Sequence, residues 1–457
     1  MIKAIRGTRD LLPPDTALWN FVEDKVRDVF RAYNFHEIRT PIFEETQLFA
    51  RSVGEETDIV AKEMYTWEDR PRGGQGGGSD AGDISGTGLG GGSAPGAGFG
   101  DGTGYGGGRG QMLTLRPEAT AGIVRAYIEH KLWERGLNKL YCIGPMFRRE
   151  RPQKGRYRQF YQIDAEVIGP ESAGSGAPAR DAEVLELLST LLDRLGIENW
   201  TLQLNSIGCA DDRARYNEAL RKALEPIAAK MCSDCQRRAI ANPLRVFDCK
   251  VPEDQPIIEK LPRISQYLDE PCRKHFHDVQ EILKAVGVPF TLNDRLVRGL
   301  DYYTRTAFEF THGALGAQNA ILGGGRYDGL SESLGGPKAP GIGFAIGEDR
   351  LVLALKQSAQ AVQPKRDVYI APLGAGMDRE AARLARELRR HDIIVELGDE
   401  TFRLKKSFEI ASKLGARFIL IVGENEVKAE AFALKNLESG EQVSVPRAQL
   451  AQKLRST

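Results

Sequence analysis

The 457-residue sequence lacks a long apolar segment, a net charge and a dense set of cysteines. No apolar run approaches the ~20 residues that span a bilayer. The first fifteen residues, MIKAIRGTRDLLPPD, contain neither a hydrophobic signal core nor a small-residue cleavage site, so we expect a cytoplasmic location and no membrane anchor. The 63 basic and 63 acidic residues cancel, so any nucleic-acid surface must be a local patch. Six cysteines over this length do not make a disulfide framework.

Glycine, in contrast, is concentrated in one tract. Residues 71–110 contain 20 glycines, and GTGLGGG at Gly86–Gly92 returns as GTGYGGG at Gly102–Gly108. Both copies contain GxGxxG, but a dinucleotide site needs a strand before this motif and a helix after it, and neither is present. So much glycine costs too much backbone entropy to order. The flanking EMYTWED and QMLTLRPE read as paired strands, so 71–110 is predicted to be a disordered loop.

The most informative stretch is basic and runs from Phe147 to Gly169, FRRERPQKGRYRQFYQIDAEVIG. Apolar flanks and the Lys154-Gly155 turn signal predict a β-hairpin. Arginine forks match pairs of phosphate oxygens, although a solvated, salt-bridged hairpin would have a similar composition. Alternation places one group of side chains on the same face of the returning strand: Phe160, Gln162, Asp164 and Glu166. That face offers an aromatic ring for stacking and carboxylates for a cationic ligand.

Several strings resemble class II aminoacyl-tRNA synthetases. Phe-Arg-x-Glu, the basic loop and the returning Phe160 resemble motif 2 of that class, and RPQKGRYRQF resembles its form in histidyl-tRNA synthetases. A helix followed by FHEIRTPIFE at 35–44 resembles motif 1, which builds the dimer interface. LVRGLDYYTRTAFEF at 296–310 and GGGRYDGL at 323–330 resemble signatures specific to the histidine enzymes. GIGFAIGEDRLVLAL at 341–355 resembles motif 3.

The resemblance implies an α+β class II catalytic core, an antiparallel sheet flanked by helices, in residues 1–209 and 289–356. A mostly helical segment, 210–288, resembles the insertion that these enzymes place against the tRNA acceptor arm. Residues 366–457 show β-α-β-α-β order and resemble the α/β anticodon-binding domain of the same class. The 71–110 tract departs from the family, which has a short turn there. Because loop closure costs grow only logarithmically with length, the core should remain intact.

The resemblance also assigns residues to roles. Histidine would be bound by Glu118, Ala119, Thr120, Gln162, Glu166, Tyr302, Tyr303 and Tyr327. ATP would be bound by Arg148, Glu150, Arg156, Phe160 and Arg350, and the acceptor end of tRNA would meet Gln153, Lys154 and Arg158. Arg148 and Arg298 would be catalytic, stabilising charge at the α-phosphate. Without the resemblance, Glu118 has another explanation, since a carboxylate near a helix N-terminus is favoured by the helix dipole.

The implied activity is histidine–tRNA ligation: L-histidine and ATP, with Mg²⁺, give histidyl-adenylate, and the histidyl group passes to tRNA(His). The partners would be L-histidine, tRNA(His) and a second copy of the chain in a homodimer. The alternative is a catalytically inactive regulatory paralogue of histidine biosynthesis that binds histidine. Such paralogues generally lack the anticodon domain and degrade the arginine-rich motifs, whereas Arg148, Arg156, Arg298 and Arg350 are present here.

The cysteines leave one question open. Cys232-x-x-Cys235 is followed by Cys249, Cys272 and His275. Strong zinc sites pair two tight doublets, and only one doublet exists here. A structural zinc and reduced, half-buried thiols both fit this spacing, and we predict no metal ligand from the sequence.

Overall fold

The computed structural model describes residues 2–54, 57, 59–69, 110–153, 155–315, 319–357 and 366–455. The chain divides into two units, Met1–Leu11 with Trp19–Gln360, and Leu12–Leu18 with Ala361–Thr457. Lys154 and residues 70–109 lie outside the described ranges, so the loop predicted at 71–110 stays a prediction apart from Gly110. Among the helices that are described, none has both the length and the apolar character needed to cross a bilayer.

The first unit is built on a large mixed sheet and a small antiparallel sheet. Its strands are β1 (His36–Glu37), β2 (Phe43–Glu45), β3 (Tyr65–Asp69), β4 (Gln111–Leu115), β5 (Lys139–Phe147), β6 (Gln159–Ile168), β7 (Trp200–Ser206), β8 (Thr291–Leu292), β9 (Thr304–His312), β10 (Ala320–Arg326) and β11 (Gly341–Gly347). Eight of them form one sheet in the order β1-β5-β6-β11-β10-β9-β7-β8. The six central strands pair antiparallel, and only the short edge strands β1 and β8 pair parallel. The predicted antiparallel sheet is therefore confirmed.

Helices cover this sheet and form the insertion. They are α1 (Asp15–Ala32), α2 (Thr46–Val53), α3 (Thr120–Glu129), α4 (Pro178–Arg194), α5 (Ala210–Leu224), α6 (Ser233–Ala241), α7 (Gln255–Ile258), α8 (Glu270–Ala285), α9 (Leu330–Ser333) and α10 (Glu348–Gln357). On one side of the sheet Ile123 and Tyr127 of α3 share a buried cluster with Leu140 and Met146 of β5. Helices α5 to α7 enclose a separate apolar cluster that includes Tyr216, Leu220 and Ile258. The insertion thus has a core of its own.

The predicted basic hairpin is present, and the pairing of its strands positions the residues of the site. β5 and β6 pair antiparallel with Met146 opposite Phe160, and the loop between them turns at Gly155, where φ is +76°. β6 pairs in turn with β11, with Gln162 opposite Gly347 and Glu166 opposite Gly343. The even-numbered residues of β6 therefore share one face, as the alternation predicts.

Three local predictions from the sequence were wrong. The alternation in FHEIRTPIFE predicts one strand over 35–44, but the structure has two short strands in different sheets, β1 and β2, because the chain leaves the first sheet before Pro41. By composition the string 296–310 predicts a strand that includes Arg298, but the chain is extended only from Thr304, so Arg298 lies on a loop. The segment RPEATAGIVRAYIEH predicts a helix with Pro117 at its first position, but the helix starts at Thr120, so Glu118 precedes it.

The small sheet has the order β2-β4-β3 and carries the ends of the glycine-rich tract. The predicted pairing of its strands is confirmed, with Trp67 opposite Leu113 and Asp69 opposite Gln111. The chain therefore leaves and re-enters this sheet at directly paired residues.

Because Asp69 and Gln111 face each other, a short hairpin turn can replace the tract without moving either strand. We expect the replacement of residues 71–109 by a four-residue turn to leave the rate of amino-acid activation within about twofold of the full chain. The measurement is a steady-state activation assay on both proteins, with thermal unfolding as the control for the fold. Loss of activation with an unchanged unfolding curve would contradict the loop prediction.

The second unit is an α/β domain. Its elements are β12 (Arg366–Leu373), α11 (Met377–Arg389), β13 (Val395–Leu397), α12 (Leu404–Lys413), β14 (Ala416–Gly423), α13 (Glu424–Ala429), β15 (Ala431–Asn436), β16 (Gln442–Pro446) and α14 (Leu450–Arg455). The sheet order is β13-β12-β14-β15-β16, parallel over the first three strands and antiparallel over the rest. Leu384 and Leu388 of α11 pack with Val368, Ile370 and Leu420 of the sheet. The β-α-β-α-β order predicted from the sequence is confirmed.

Candidate active site

A cavity of about 470 Å³ opens on the face of the large sheet formed by β6, β10 and β11. It collects side chains from the hairpin, the start of α3, the loop before β9 and the start of α10. Eleven of the residues to which the resemblance assigns roles line it: Glu118, Thr120, Arg148, Glu150, Arg156, Phe160, Gln162, Arg298, Tyr302, Tyr303 and Arg350. Segments more than two hundred residues apart in the sequence, such as those with Glu118 and Arg350, therefore meet in one place.

The remaining predicted residues lie behind or beside this cavity. Glu166 and Tyr327 are buried behind it, and the Tyr327 hydroxyl donates a 2.6 Å hydrogen bond to Glu166 Oε2. Ala119 is buried at the N-cap position of α3. In the hairpin loop, the Gln153 amide donates to the Arg156 carbonyl, while the Arg158 amide donates to the Gly7 carbonyl. Lys154 lies outside the described residues.

One end of the cavity is rich in buried carboxylates. Glu118, Asp164 and Glu166 are each at most 4% exposed. Burial raises the pKa of all three: to about 8 for Glu166, and well above the usual range for Asp164, where the charges of Glu166 and Glu118 add to the effect of burial. Among the described residues, Asp164 Oδ2 has no hydrogen-bond partner. This end is consequently short of positive charge and suits a cationic or hydrogen-bond-donating ligand.

Hydroxyl groups and aromatic rings orient these carboxylates. The Thr120 hydroxyl donates a 2.6 Å hydrogen bond to Glu166 Oε1, so both Glu166 oxygens accept from side chains. The Tyr302 ring lies 4.6 Å from the Tyr303 ring and 5.8 Å from the Tyr327 ring, centroid to centroid. Such a pocket can hold a flat, polar ring by contact with its faces and by hydrogen bonds at its edge.

Glu118 makes the contacts expected of a carboxylate that stabilises a helix N-terminus. Its two carboxylate oxygens accept the amide hydrogens of Thr120 and Ala121, at 2.8 and 2.9 Å, at the start of α3. It nevertheless lines the cavity. Because a carboxylate has about four acceptor positions, the same group can cap the helix and accept from a ligand.

The other end of the cavity is rich in arginine. The Arg148 guanidinium lies 5.2 Å from the Phe160 ring centroid, and its Nε donates to the Pro117 carbonyl at 2.9 Å. Arg298 Nη1 lies 3.4 Å from Glu309 Oε1. Burial, together with the charge of Arg156, lowers the pKa of Arg350. A guanidinium whose pKa is lowered in this way gains stability when an anion binds nearby, so this end suits phosphates.

Two glycines of the sheet make room for the site. A Cβ atom on Gly343 of β11 would overlap Oε2 of Glu166, and one on Gly323 of β10 would lie 2.7 Å from Nη1 of Arg298. In the structure these glycines leave space for the side chains that line the cavity or lie behind it.

Comparisons with known proteins agree with this geometry. Residues 107–351 match the family described as histidyl-tRNA synthetase, and residues 367–457 match the anticodon binding domain. The histidine–tRNA ligase of Koribacter versatilis is 63% identical over 452 residues, which cover 99% of this chain and 95% of that protein. The chain belongs to the histidyl-tRNA synthetase family. Its activity is that of a histidine–tRNA ligase, an ATP-dependent aminoacyl-tRNA ligase.

Solved structures show the same fold as this synthetase. The apo histidyl-tRNA synthetase of S. aureus matches with a TM-score of 0.74 at 34% identity and 100% coverage of both chains. A Bacillus halodurans protein described as an ATP phosphoribosyltransferase regulatory subunit/histidyl-tRNA synthetase matches with a TM-score of 0.62 at 19% identity, covering 93% of this chain and 98% of its own. That second likeness shows the fold alone. The predicted fold class, a class II core followed by an α/β anticodon-binding domain, is confirmed.

Sequence reasoning placed Asp164 on the correct face of β6, as a carboxylate for a cationic ligand, but did not assign it to histidine. It missed two other residues that line the cavity of the synthetase, Glu309 and Arg245. Glu309 on β9 faces Arg298. Arg245 arrives from the insertion, and its Nη1 donates to the Gly299 carbonyl at 3.2 Å. No local pattern marks Glu309 or Arg245.

The space at Gly343 can be tested directly in the synthetase. We expect Gly343→Ala to raise the KM for histidine by about 10- to 100-fold, because the added methyl group displaces Glu166 and overpacking of this kind costs about 1–3 kcal/mol. Gly313→Ala is the matched control, since among the described residues nothing lies within 4 Å of a Cβ added there. The measurement is histidine-dependent activation by both variants. An unchanged KM in Gly343→Ala would show that Glu166 does not contact the substrate.

Proposed function

We propose that the cavity forms histidyl-adenylate, with histidine at the carboxylate-rich end and ATP at the arginine-rich end. The observation that supports this most strongly is the polarity of the cavity. Buried carboxylates of raised pKa, Glu118 and Asp164 with Glu166 behind them, lie at one end, and arginines that include Arg148, Arg298 and Arg350 lie towards the other. The charges of the two substrates are complementary to those of the two ends of the cavity. Histidine offers an ammonium group and an imidazole ring, and ATP offers phosphates.

At the histidine end, the ammonium group would bind Glu118 and the Thr120 hydroxyl, beside Ala119 in the same turn. The imidazole would lie against Tyr302, Tyr303 and Tyr327. Glu166 and Gln162 would accept from or donate to its nitrogens, because a hydrogen bond at one nitrogen fixes which tautomer is present. Both Glu166 oxygens are already oriented by hydroxyl groups, so the carboxylate is held in position before the ligand arrives.

At the ATP end, Phe160 would stack on adenine, and Arg350 and Arg156 would hold the far phosphates. Arg148 and Arg298 would lie at the α-phosphate. Glu150 and Glu309 are the carboxylates nearest these arginines, and one or two carboxylates with substrate phosphates form an ordinary Mg²⁺ environment. When bound there, Mg²⁺ would neutralise phosphate charge.

The chemistry in this arrangement is an in-line attack of the histidine carboxylate on the α-phosphorus, with pyrophosphate as the leaving group. No protein base is needed, because the attacking carboxylate is already ionised at neutral pH. The chain would contribute orientation of both substrates and stabilisation of the charge that develops on the α-phosphate oxygens. Arg298 suits the second task because its guanidinium lies next to Gly323 and over the Tyr303 ring, 5.7 Å from the ring centroid.

The transfer step adds tRNA(His) as the second substrate. The hairpin-loop residues Gln153, Lys154 and Arg158 would contact the acceptor end, and the insertion, 210–288, would contact the acceptor arm. Residues 366–457 would bind the anticodon, in agreement with the family match at 367–457. Residues 1–209 and 289–356 would form the catalytic core. A cytoplasmic location, where tRNA is charged, stays a prediction.

A charging assay tests the complete proposal. The full chain is supplied with ATP, Mg²⁺, radiolabelled histidine and one purified tRNA at a time. We expect acid-stable label on tRNA(His) and none on tRNAs for other amino acids. Label that stays on the enzyme as adenylate and never reaches tRNA(His) would contradict the transfer step.

The small sheet supports the proposal of a homodimer. Ile42, Phe43, Trp67 and Met112 are all between 39% and 49% exposed. The Phe43 and Trp67 rings lie 6.0 Å apart, so part of this surface is a continuous apolar patch. Exposed apolar patches of this kind commonly mark interfaces, and Ile42 and Phe43 belong to the string that resembles the dimer-forming motif 1.

Trp67→Asp is expected to convert the protein to monomers at micromolar concentration, because a carboxylate buried in an apolar interface costs several kcal/mol. Light scattering coupled to gel filtration gives the mass directly. Ile394→Asp is the matched control, because Ile394 is an exposed apolar residue in the second unit. If Trp67→Asp has the same mass in solution as the unmodified dimeric protein, the interface lies elsewhere.

The regulatory paralogue is not favoured. Arg148, Arg156, Arg298 and Arg350, which such a protein would not need, all line the cavity. The anticodon domain is also present.

A further inference from the structure

A compact cluster of three thiols and one carboxylate lies in the insertion, away from the cavity. It consists of Cys232, Cys235, Cys249 and Asp254, whose ligand atoms all lie within 4.8 Å of one another. Cys232 is the N-cap residue of α6, and Cys235 lies in its first turn. Cys249 and Asp254 follow a 3-10 segment, Pro243–Asp248, and all except Cys232 are buried. Four potential ligands therefore converge from two adjacent parts of the chain.

The distances match those of a tetrahedral zinc site. With Zn–S bonds of about 2.3 Å, two sulfur ligands lie about 3.8 Å apart. Cys232 Sγ and Cys249 Sγ are 3.9 Å apart. Cys249 Sγ and Asp254 Oδ2 are 3.2 Å apart, which suits the shorter Zn–O bond.

The backbone around the cluster provides a second, independent observation. The amide of Cys235 donates to Cys232 Sγ, and the amide of Val251 donates to Cys249 Sγ, both at 3.4 Å. Each of these contacts restricts the position of the sulfur atom that accepts the amide hydrogen. The Cys232 amide lies 3.1 and 3.2 Å from the two oxygens of Asp254 and fixes the direction of this carboxylate. Such outer contacts are typical of metal sites.

We propose that Cys232, Cys235, Cys249 and Asp254 bind one Zn²⁺ ion. Three thiolates and a carboxylate select zinc over the hard cations Mg²⁺ and Ca²⁺, which prefer oxygen ligands. Four protein ligands leave no open position for a substrate, so the ion has a structural role. The partners considered from the sequence, Cys272 and His275, do not take part. His275 Nε2 lies 2.9 Å from Asp181 Oδ2, outside the insertion.

A second cluster, formed by Cys209 and residues of the insertion, serves as a control. Cys209, Asp212, Asp269 and Cys272 also lie within 4.8 Å of one another. Here, however, Asp212 is paired with Arg215 and accepts the amides of Cys209 and Asp269. Asp269 accepts the amide of Cys272. The negative charges of this second cluster are thus already compensated by the Arg215 guanidinium and by backbone amides at helix N-termini. This cluster therefore needs no cation.

The zinc ion would stabilise the segment of the insertion that contacts the loop carrying Arg298. Between Cys235 and Cys249 the chain contains Asn242 and Arg245. Asn242 Nδ2 donates to Asp301 Oδ1 at 3.0 Å, and Arg245 Nη1 donates to the Gly299 carbonyl at 3.2 Å. By holding the two ends of this segment together, the ion would fix the position from which both side chains reach the loop.

The test measures metal content directly and does not depend on the proposed function. The full chain, Cys235→Ser and Cys272→Ser are purified without chelator, and zinc per chain is determined by inductively coupled plasma mass spectrometry. We expect about one Zn²⁺ in the unmodified chain and in Cys272→Ser, and at least a tenfold loss in Cys235→Ser. Circular dichroism establishes that each protein is folded.

If Cys235→Ser does not fold, the unmodified chain is stripped with chelator and titrated with Co²⁺. We then expect a thiolate-to-cobalt charge-transfer band that saturates at about one Co²⁺ per chain and is weakened by Asp254→Asn. The proposal is overturned if the unmodified chain neither contains zinc nor takes up a stoichiometric amount, or if Cys235→Ser retains it. Failure of histidine activation with zinc still bound would instead count against the proposed function.

Discussion

Arg298→Ala is expected to lower the rate of histidyl-adenylate formation by about 10²–10³-fold, or roughly 3 kcal/mol. The guanidinium lies at the arginine-rich end of the cavity, between the Tyr303 ring and the backbone of Gly323. We propose that it meets the charge that develops on the α-phosphate. Removing it takes away a stabilisation that exists mainly in the transition state, so kcat should fall more than the KM for either substrate rises.

The fold should survive this substitution, because the partner Glu309 is about a quarter exposed and can be hydrated. Pre-steady-state measurement of adenylate formation gives the rate, and thermal unfolding controls for the fold. Arg31→Ala, at a guanidinium that is 77% exposed and paired with Asp28, is the matched control and should be unchanged. Near-normal turnover by Arg298→Ala would remove Arg298 from the catalytic residues.

Glu166→Gln is expected to raise the KM for histidine by about 10- to 100-fold, since a hydrogen bond to a charged group contributes about 1.5–3 kcal/mol. Burial raises the pKa of Glu166 to about 8 in the empty site, so the carboxylate form becomes more abundant as the pH rises from 6.5 to 8.5. Histidine should bind the carboxylate form better. The KM of the unmodified enzyme should therefore fall across this range, and the variant should lose that part of the pH dependence.

The stability of the empty enzyme provides a second measurement on the same residue. In the folded chain Glu166 keeps its proton up to about pH 8, whereas in the unfolded chain the proton leaves near 4.5. The folded state binds more protons between these values, so stability falls as the pH rises through this interval. The melting temperature of the unmodified protein should consequently fall more steeply between pH 5 and 8 than that of Glu166→Gln. Parallel curves would show that Glu166 is ionised in the folded protein.

Much of the fold could be predicted because its signals are local. Alternation on β6 placed Gln162 and Glu166 on one face, and the Lys154-Gly155 turn signal predicted the hairpin. Apolar strands and amphipathic helices gave the order of the second unit. The residues that resemble family motifs occur in short strings. They can therefore be recognised even where the predicted secondary structure was wrong, as at Arg298.

Other features depend on contacts that no local pattern contains. Arg326 is fully buried at the end of β10, where its Nε donates to Asp181 Oδ1 at 3.1 Å, and His275 reaches the same carboxylate from α8. These three residues come from separate parts of the chain, and no pattern in the sequence links them to one another. Arg245, which reaches the cavity from the insertion, is another example.

The most direct test of the central claim is amino-acid-dependent exchange between ATP and pyrophosphate, measured with each of the twenty amino acids and without tRNA. We expect exchange with histidine alone, because in the proposed binding mode its imidazole would contact the tyrosine rings and form a hydrogen bond with Glu166 at the same time. Exchange with none of the twenty, by a folded protein that still binds histidine, would contradict the catalytic assignment and favour the regulatory alternative.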